Sequence, residues 1–219
     1  SNVTIFPGAR IGDNCKIFPG AVISAIPQDL KFNGEETTVV IGNNTVIREC
    51  VTINRGTNYN NTTQVGDNCF LMAYSHVAHD CIINDNVIIA NGVAIAGHVE
   101  IDNNAIIGGL AAIQQFTKIG KFSMISGGSL VRKNVPPYIK VAKEPLRFIG
   151  VNIVGLTRNK FSKKNIENII SMYRVLFQEG NNISKAIEII EKKYKKSIEK
   201  EEIINFIKNS KSGIIKGFY

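Results

Sequence analysis

The chain has 219 residues, 44% hydrophobic and 20% charged, and its 26 Lys and Arg against 18 Asp and Glu leave a formal net charge of +8. No stretch approaches the ~18 consecutive apolar residues of a membrane span, and 19 Gly with six Pro are too few for a collagen-like or disordered chain, so a soluble globular protein is expected. The charge is uneven: residues 1–157 hold 12 basic and 11 acidic side chains, residues 158–219 hold 14 and 7.

From the first residues onward an aliphatic side chain recurs at every sixth position: Ile5, Ile11, Ile17 and Ile23, then Ile41, Ile47 and Ile53, then Val65, Leu71, Val77 and so on to Val131. Four residues after each anchor, where the spacing is unbroken, stands a second residue that is small or β-branched, such as Ala21, Thr45, Cys69, Cys81, Val99 or Ser123. Two inward positions per hexad, with corner residues such as GDN at 12–14 and 66–68 that accept left-handed backbone, describe short strands joined by tight corners. That is the pattern of an all-β solenoid, a parallel β-helix. Its handedness does not follow from the period.

The hexads break twice, with 18 residues from Ile23 to Ile41 and 12 from Ile53 to Val65. The interrupted hexads are three apart, so a triangular coil of 18 residues puts both inserted loops on one side, together with the hexads that begin at Val77, Ile95 and Ile113. His79, Gly97 and Gln115 then form one column, with Asp80, His98 and Phe116 as its neighbour.

After Pro136 and Pro137 the hexads stop, which sets a β-helical unit of residues 1–137 and a connector with a C-terminal α-helical cap over 138–219. Ser162 reads as the N-cap of a helix bearing Ile166, Ile169, Tyr173 and Leu176 and ended by Gly180. Ser184 reads as the cap of a second helix with Ile187 and Ile190, and a third is expected over Ile198 to Ile207. The four cysteines show no zinc spacing and suit a reducing compartment, so cytoplasm is the expected location.

Several stretches carry a resemblance: IPQDLKF at 26–32, IRECVTINRGT at 47–57, HVAHDC at 76–81, AGHV at 96–99, IIGG at 106–109, QQF at 114–116, VPPY at 135–138 and GVNIVGL at 150–156. In this order they are similar to the UDP-N-acetylglucosamine O-acyltransferase family of lipid A biosynthesis, over nearly the whole chain. The resemblance implies a left-handed coil, a homotrimer with sites between subunits, no metal or organic cofactor, and first coils missing from this chain. Its reaction moves a 3-hydroxyacyl group from acyl carrier protein to the sugar 3-hydroxyl. The attacking alcohol must lose a proton, which suits an imidazole, and His79 is the candidate general base. By the same resemblance the backbone N–H of Gly97 steadies the thioester oxyanion. Gln28, Asp29, Lys31, His76 and His98 fall to the sugar, Gln115, Asn152 and Arg158 to the nucleotide, and Gly127 to the limit on acyl-chain length.

Four positions depart from the family pattern: Gln114 and Pro145 where histidines are usual, Val154 at an acidic position and Asn159 in place of a second arginine. They bear on the nucleotide contacts and leave an amino-sugar analogue open as substrate. The basic tail suits docking of an acidic carrier protein or is a compositional habit; it carries no nucleic-acid reader motif. Competing readings are the N-acyltransferase of the same pathway, a three-histidine zinc site, and a non-enzymatic structural β-helix. The last would show regular Thr/Ser rows, which this chain lacks.

Overall fold

A computed structural model describes residues 2–217; Ser1, Phe218 and Tyr219, at the outer ends of the two expected units, lie outside the described residues. The hexads form strands of two to four residues, each hydrogen-bonded in parallel to the strand one coil away. His76 and Val77 face Ala94 and Ile95, which face Ala112 and Ile113, a register of one 18-residue coil. Three sheets result. The first runs from Thr4–Ile5 through Val22–Ala25, Thr52–Asn54, His76–Val77, Ala94–Ile95 and Ala112–Ile113 to Leu130–Val131. The second holds Ala9–Ile11 through Lys118–Ile119, and the third begins at Lys16–Ile17.

Inside the prism the anchors from Ile23 onward are buried, and the second inward positions from Ala21 to Val135 are buried beside them. Each such aliphatic side chain contributes about 1.5–3 kcal/mol of burial. Ile5, on the first coil with a neighbour on one side only, is 51% exposed.

The corner between the second and third sheets shows why GDN-type triplets recur. Its third residue is left-handed, with φ of 58° at Asn14, 56° at Asn44 and 55° at Asn68. The middle residue accepts from the preceding coil: Asp13 N–H donates to Asn43 Oδ1 (2.8 Å), Asn43 to Asp67 (2.6 Å), Asp67 to Asp85 (2.9 Å) and Asp85 to Asn103 (3.1 Å). The glycine serves this ladder rather than a left-handed turn, since a β-carbon at Gly42 would sit 2.2 Å from Asp67 Oδ1.

Beyond Pro137 the third sheet continues, which the hexad pattern did not anticipate. Strand Ile139–Ala142 pairs in parallel with Met124–Ile125, and Arg147–Val151 folds back antiparallel onto it. Four helices follow: α1 (Ile153–Arg158), α2 (Lys163–Phe177), α3 (Ile183–Lys193) and α4 (Ile198–Lys208). Ser162 caps α2 as expected, accepting from Asn165 N. The cap of α3 is Asn182, not Ser184, which lies inside the helix; the Asn182 side chain accepts from Lys185 N and reaches the orphan donors first. Glu202 of α4 accepts from both Lys121 and Tyr138, and Tyr173 of α2 donates to Pro137 O (2.6 Å), tying the helices to the last coil. Among the described residues no helix is long and apolar enough to cross a membrane.

Candidate active site

Both inserted loops leave the first sheet at the corner where it turns into the second, and His79, Gly97 and Gln115 lie at that corner in successive coils. The neighbouring column is left-handed at bulky residues, with φ of 59° at Asp80, 62° at His98 and 63° at Phe116. Bulky residues are left-handed at the other corners as well, among them Tyr74, Leu110 and Phe122, so this backbone belongs to the coil and not to the site alone.

His79 is almost enclosed, with 12% of its side chain exposed, and its Nδ1 lies 2.8 Å from Asp80 Oδ2. A carboxylate at that distance takes the Nδ1 proton as its hydrogen bond and leaves the Nε2 lone pair free. The Asp80 carboxylate is fully buried and its oxygens are filled. Oδ1 accepts from the N–H groups of Thr57 (3.0 Å) and Asn60 (3.2 Å); Oδ2 accepts from Thr57 Oγ1 (2.7 Å) and His79. Burial alone would raise its pKa, but the hydrogen bonds from His79, Thr57 and Asn60 outweigh it and hold the carboxyl below its usual value.

Two more imidazoles flank the pair. His98 stacks on Phe116, with centroids 4.4 Å apart and planes at 3°, and meets Tyr59 edge-on at 4.5 Å. Burial lowers its pKa, with His79 adding to the effect against the opposing pull of Asp80 and Asp29. His76 is hydrogen-bonded through Nδ1 to Thr52 Oγ1 at 2.7 Å, and burial, then His79, lowers its pKa too.

Gly97 has two properties that set it apart. A β-carbon there would lie 2.6 Å from His79 Cε1 and 2.7 Å from Nε2, so glycine makes room for the imidazole. Its N–H, at the position that the next coil's Asp or Asn side chain caps on the opposite corner, has no hydrogen-bond partner among the described residues. The residue one coil on, Gln115, is exposed and supplies no such cap.

The remaining expected residues divide. Gln28, Asp29 and Lys31 are on the first loop, where Asp29 Oδ1 accepts from Lys31 N (2.9 Å) and Asp29 acts electrostatically on His98. Asn152 and Arg158 are not beside His79 within one protomer. Asn152 caps α1 at the corner of the second and third sheets, where its Nδ2 donates to Phe122 O (2.9 Å) and its Oδ1 accepts from Gly155 N. Arg158 is exposed in the last turn of α1, and Asn159 next to it closes that helix by donating to Gly155 O. Gly127 stands at the third corner, where a β-carbon would meet Gly109 O at 3.1 Å. Val154 is exposed on α1, and Pro145 follows Glu144 in a cis peptide.

Sequence reasoning missed Thr52, Thr57 and Asn60. Asp80 it placed in the column without a role, although its position next to a candidate base was the available signal. His79, Asp80 and His98 have ligand atoms within 4.8 Å of one another, the arrangement that could hold a metal ion among the described residues. The filled oxygens of Asp80 fit an anchoring carboxylate better than a ligand.

Comparison with known proteins is consistent with this geometry. Residues 62–97 match the model for bacterial transferase hexapeptide repeats, and residues 134–215 match that for the second domain of UDP-N-acetylglucosamine O-acyltransferase. A Synechocystis protein named acyl-(acyl-carrier-protein)–UDP-N-acetylglucosamine O-acyltransferase is 42% identical over 82% of this chain and 65% of its own length. A Campylobacter concisus protein of the same name is 40% identical over 98% of this chain and 84% of its own. The crystal structure of a Bacteroides fragilis UDP-N-acetylglucosamine acyltransferase superposes with a TM-score of 0.97 at 49% identity, covering 99% of this chain and 85% of that one. The Francisella novicida acyltransferase structure gives 0.96 at 38% identity, covering 100% and 80%.

Coils of hexads with an imidazole set among protruding loops define the class, a hexapeptide-repeat transferase. The chain belongs to the UDP-N-acetylglucosamine O-acyltransferase family. It spans just under two thirds of the Synechocystis relative's length.

Proposed function

We propose that the protein transfers a 3-hydroxyacyl chain from acyl carrier protein to the 3-hydroxyl of UDP-N-acetylglucosamine, the first step of lipid A biosynthesis. The observation that carries this reading is the His79 imidazole, its Nδ1 committed to Asp80 and its Nε2 left free beside the unpaired N–H of Gly97. Nε2 takes the proton of the sugar hydroxyl as the oxygen attacks the thioester carbon. The carbonyl oxygen becomes an anion that the Gly97 N–H steadies. Collapse breaks the carbon–sulfur bond, and the imidazolium returns the proton to the departing thiolate. General-base help is worth roughly 10²–10⁴-fold and one oxyanion donor about 10²–10³-fold.

In this reading Gln28, Asp29 and Lys31 of the first loop, with His76 and His98, hold the sugar, and Gln115, Asn152 and Arg158 hold the nucleotide. A homotrimer accounts for the distribution of these residues over two corners, because a neighbouring subunit can bring its α1 to this subunit's loops. Gly127 sets the acyl-chain limit and, lacking a side chain, admits a longer chain. The coil is left-handed, residues 1–137 form the catalytic unit and 138–219 the connector and helical cap, and the protein works in the cytoplasm without a bound cofactor. The test is an assay of purified protein with a ladder of acyl carrier protein thioesters and either UDP-N-acetylglucosamine or its 2-amino analogue. An ester product from the acetylated sugar supports the reading, and an amide made only from the analogue overturns it.

A further inference from the structure

The six-residue insertion after the Thr52–Asn54 strand has no partner in the hexad pattern, yet it closes over the site corner. Thr57 reaches across 23 residues to Asp80 and donates to both carboxylate oxygens, from its N–H at 3.0 Å and its Oγ1 at 2.7 Å. Asn60 adds its own N–H to Oδ1, and its side-chain amide approaches Asp80 O at 3.5 Å. From the preceding coil, Thr63 Oγ1 accepts the Asp80 N–H at 2.8 Å. Thr57 is 6% exposed and Asp80 is buried at a left-handed backbone position, so this carboxylate has no water shell to choose its rotamer. Three donors from one short loop choose it instead.

We infer that Thr57 is a positioning residue for the acyl transfer, fixing the Asp80 carboxylate so that Oδ2 takes the His79 Nδ1 proton and Nε2 faces the acceptor alcohol. The inference rests on the assignment of His79 as base. Without the Thr57 hydroxyl, Oδ1 stays held by the N–H groups of Thr57 and Asn60, but Oδ2 keeps His79 as its one donor, which loosens the carboxylate's grip and lets the imidazole drift. Misplacement of a reacting group on this scale is felt in the chemical step rather than in substrate binding.

The other groups close to His79 are His76 of the strand that precedes it and His98 from the next coil, with Asp29 of the first loop acting on His98. None of them is altered by the substitution.

The experiment compares Thr57→Val, which keeps the shape, with Thr57→Ser, which keeps the hydroxyl, and with His79→Ala, each assayed with UDP-N-acetylglucosamine and a 3-hydroxyacyl carrier thioester. Thr57→Val should lower kcat by roughly tenfold with KM for the sugar nucleotide unchanged. Thr57→Ser should recover most of the rate. If the valine variant does not assemble, Thr57→Ala carries the same expectation. A Thr57→Val or Thr57→Ala enzyme with normal kcat, while His79→Ala is inactive, overturns the positioning role alone. An active His79→Ala overturns the assignment on which it rests.

Discussion

Gly97 lies directly beneath the imidazole of His79, close enough that a β-carbon at position 97 would stand 2.6 Å from Cε1 and 2.7 Å from Nε2. The contact is with a ring that is nearly buried and anchored at Nδ1, so the ring cannot swing aside without giving up Asp80. Gly97→Ala therefore displaces the base. Since Gly97 does not have left-handed backbone, alanine fits the chain there, and the coil should survive. Turnover should drop about a hundredfold with the melting temperature nearly unchanged. Steady-state assays alongside thermal unfolding check both halves.

His76, His98 and Asp80 make the corner acid-sensitive. His76 and His98 have native pKa values lowered chiefly by burial, so as pH falls through about 6.5 the unfolded chain takes up protons that the folded one refuses, and stability declines. Asp80 is depressed as well, so its contribution is intact above about 3.9 and is lost as pH falls below that through the native value. Denaturant unfolding followed from pH 7.5 to 5.5 should show falling stability, and His98→Phe should flatten the slope.

Cys69 and Cys81 occupy inward positions, where burial pushes their thiols up to about 11 and about 12. Only the thiolate is nucleophilic, and at pH 8 no more than about a thousandth of either is in that form. An alkylating reagent followed by mass spectrometry should label these two only after denaturation.

The coil was legible because its physics is local and repeated: one large and one small inward side chain per hexad sets the register, and arithmetic on 18 aligns His79 with Gly97. The helices were legible in their apolar stripes, but Asn182 and Ser184 are both good capping residues two positions apart, and their spacing does not decide between them. The hairpin of Ile139–Ala142 and Arg147–Val151 escaped because two prolines end the hexad rule while the sheet goes on. Thr57 and Asn60 escaped for a different reason. They sit in an insertion without period, and their partner is 20 to 23 residues away, a contact made only once the coils stack. Gly97 is legible as a residue with no β-carbon to block approach to its N–H, whereas the space it leaves for His79 is visible only in three dimensions.

A single-turnover measurement on His79→Ala, with the wild-type protein beside it, bears most directly on the account. With 3-hydroxyacyl carrier thioester and UDP-N-acetylglucosamine saturating, product formation should slow by at least about a hundredfold while the melting point stays as it is. An intact variant that forms ester within a few-fold of the wild-type rate contradicts it.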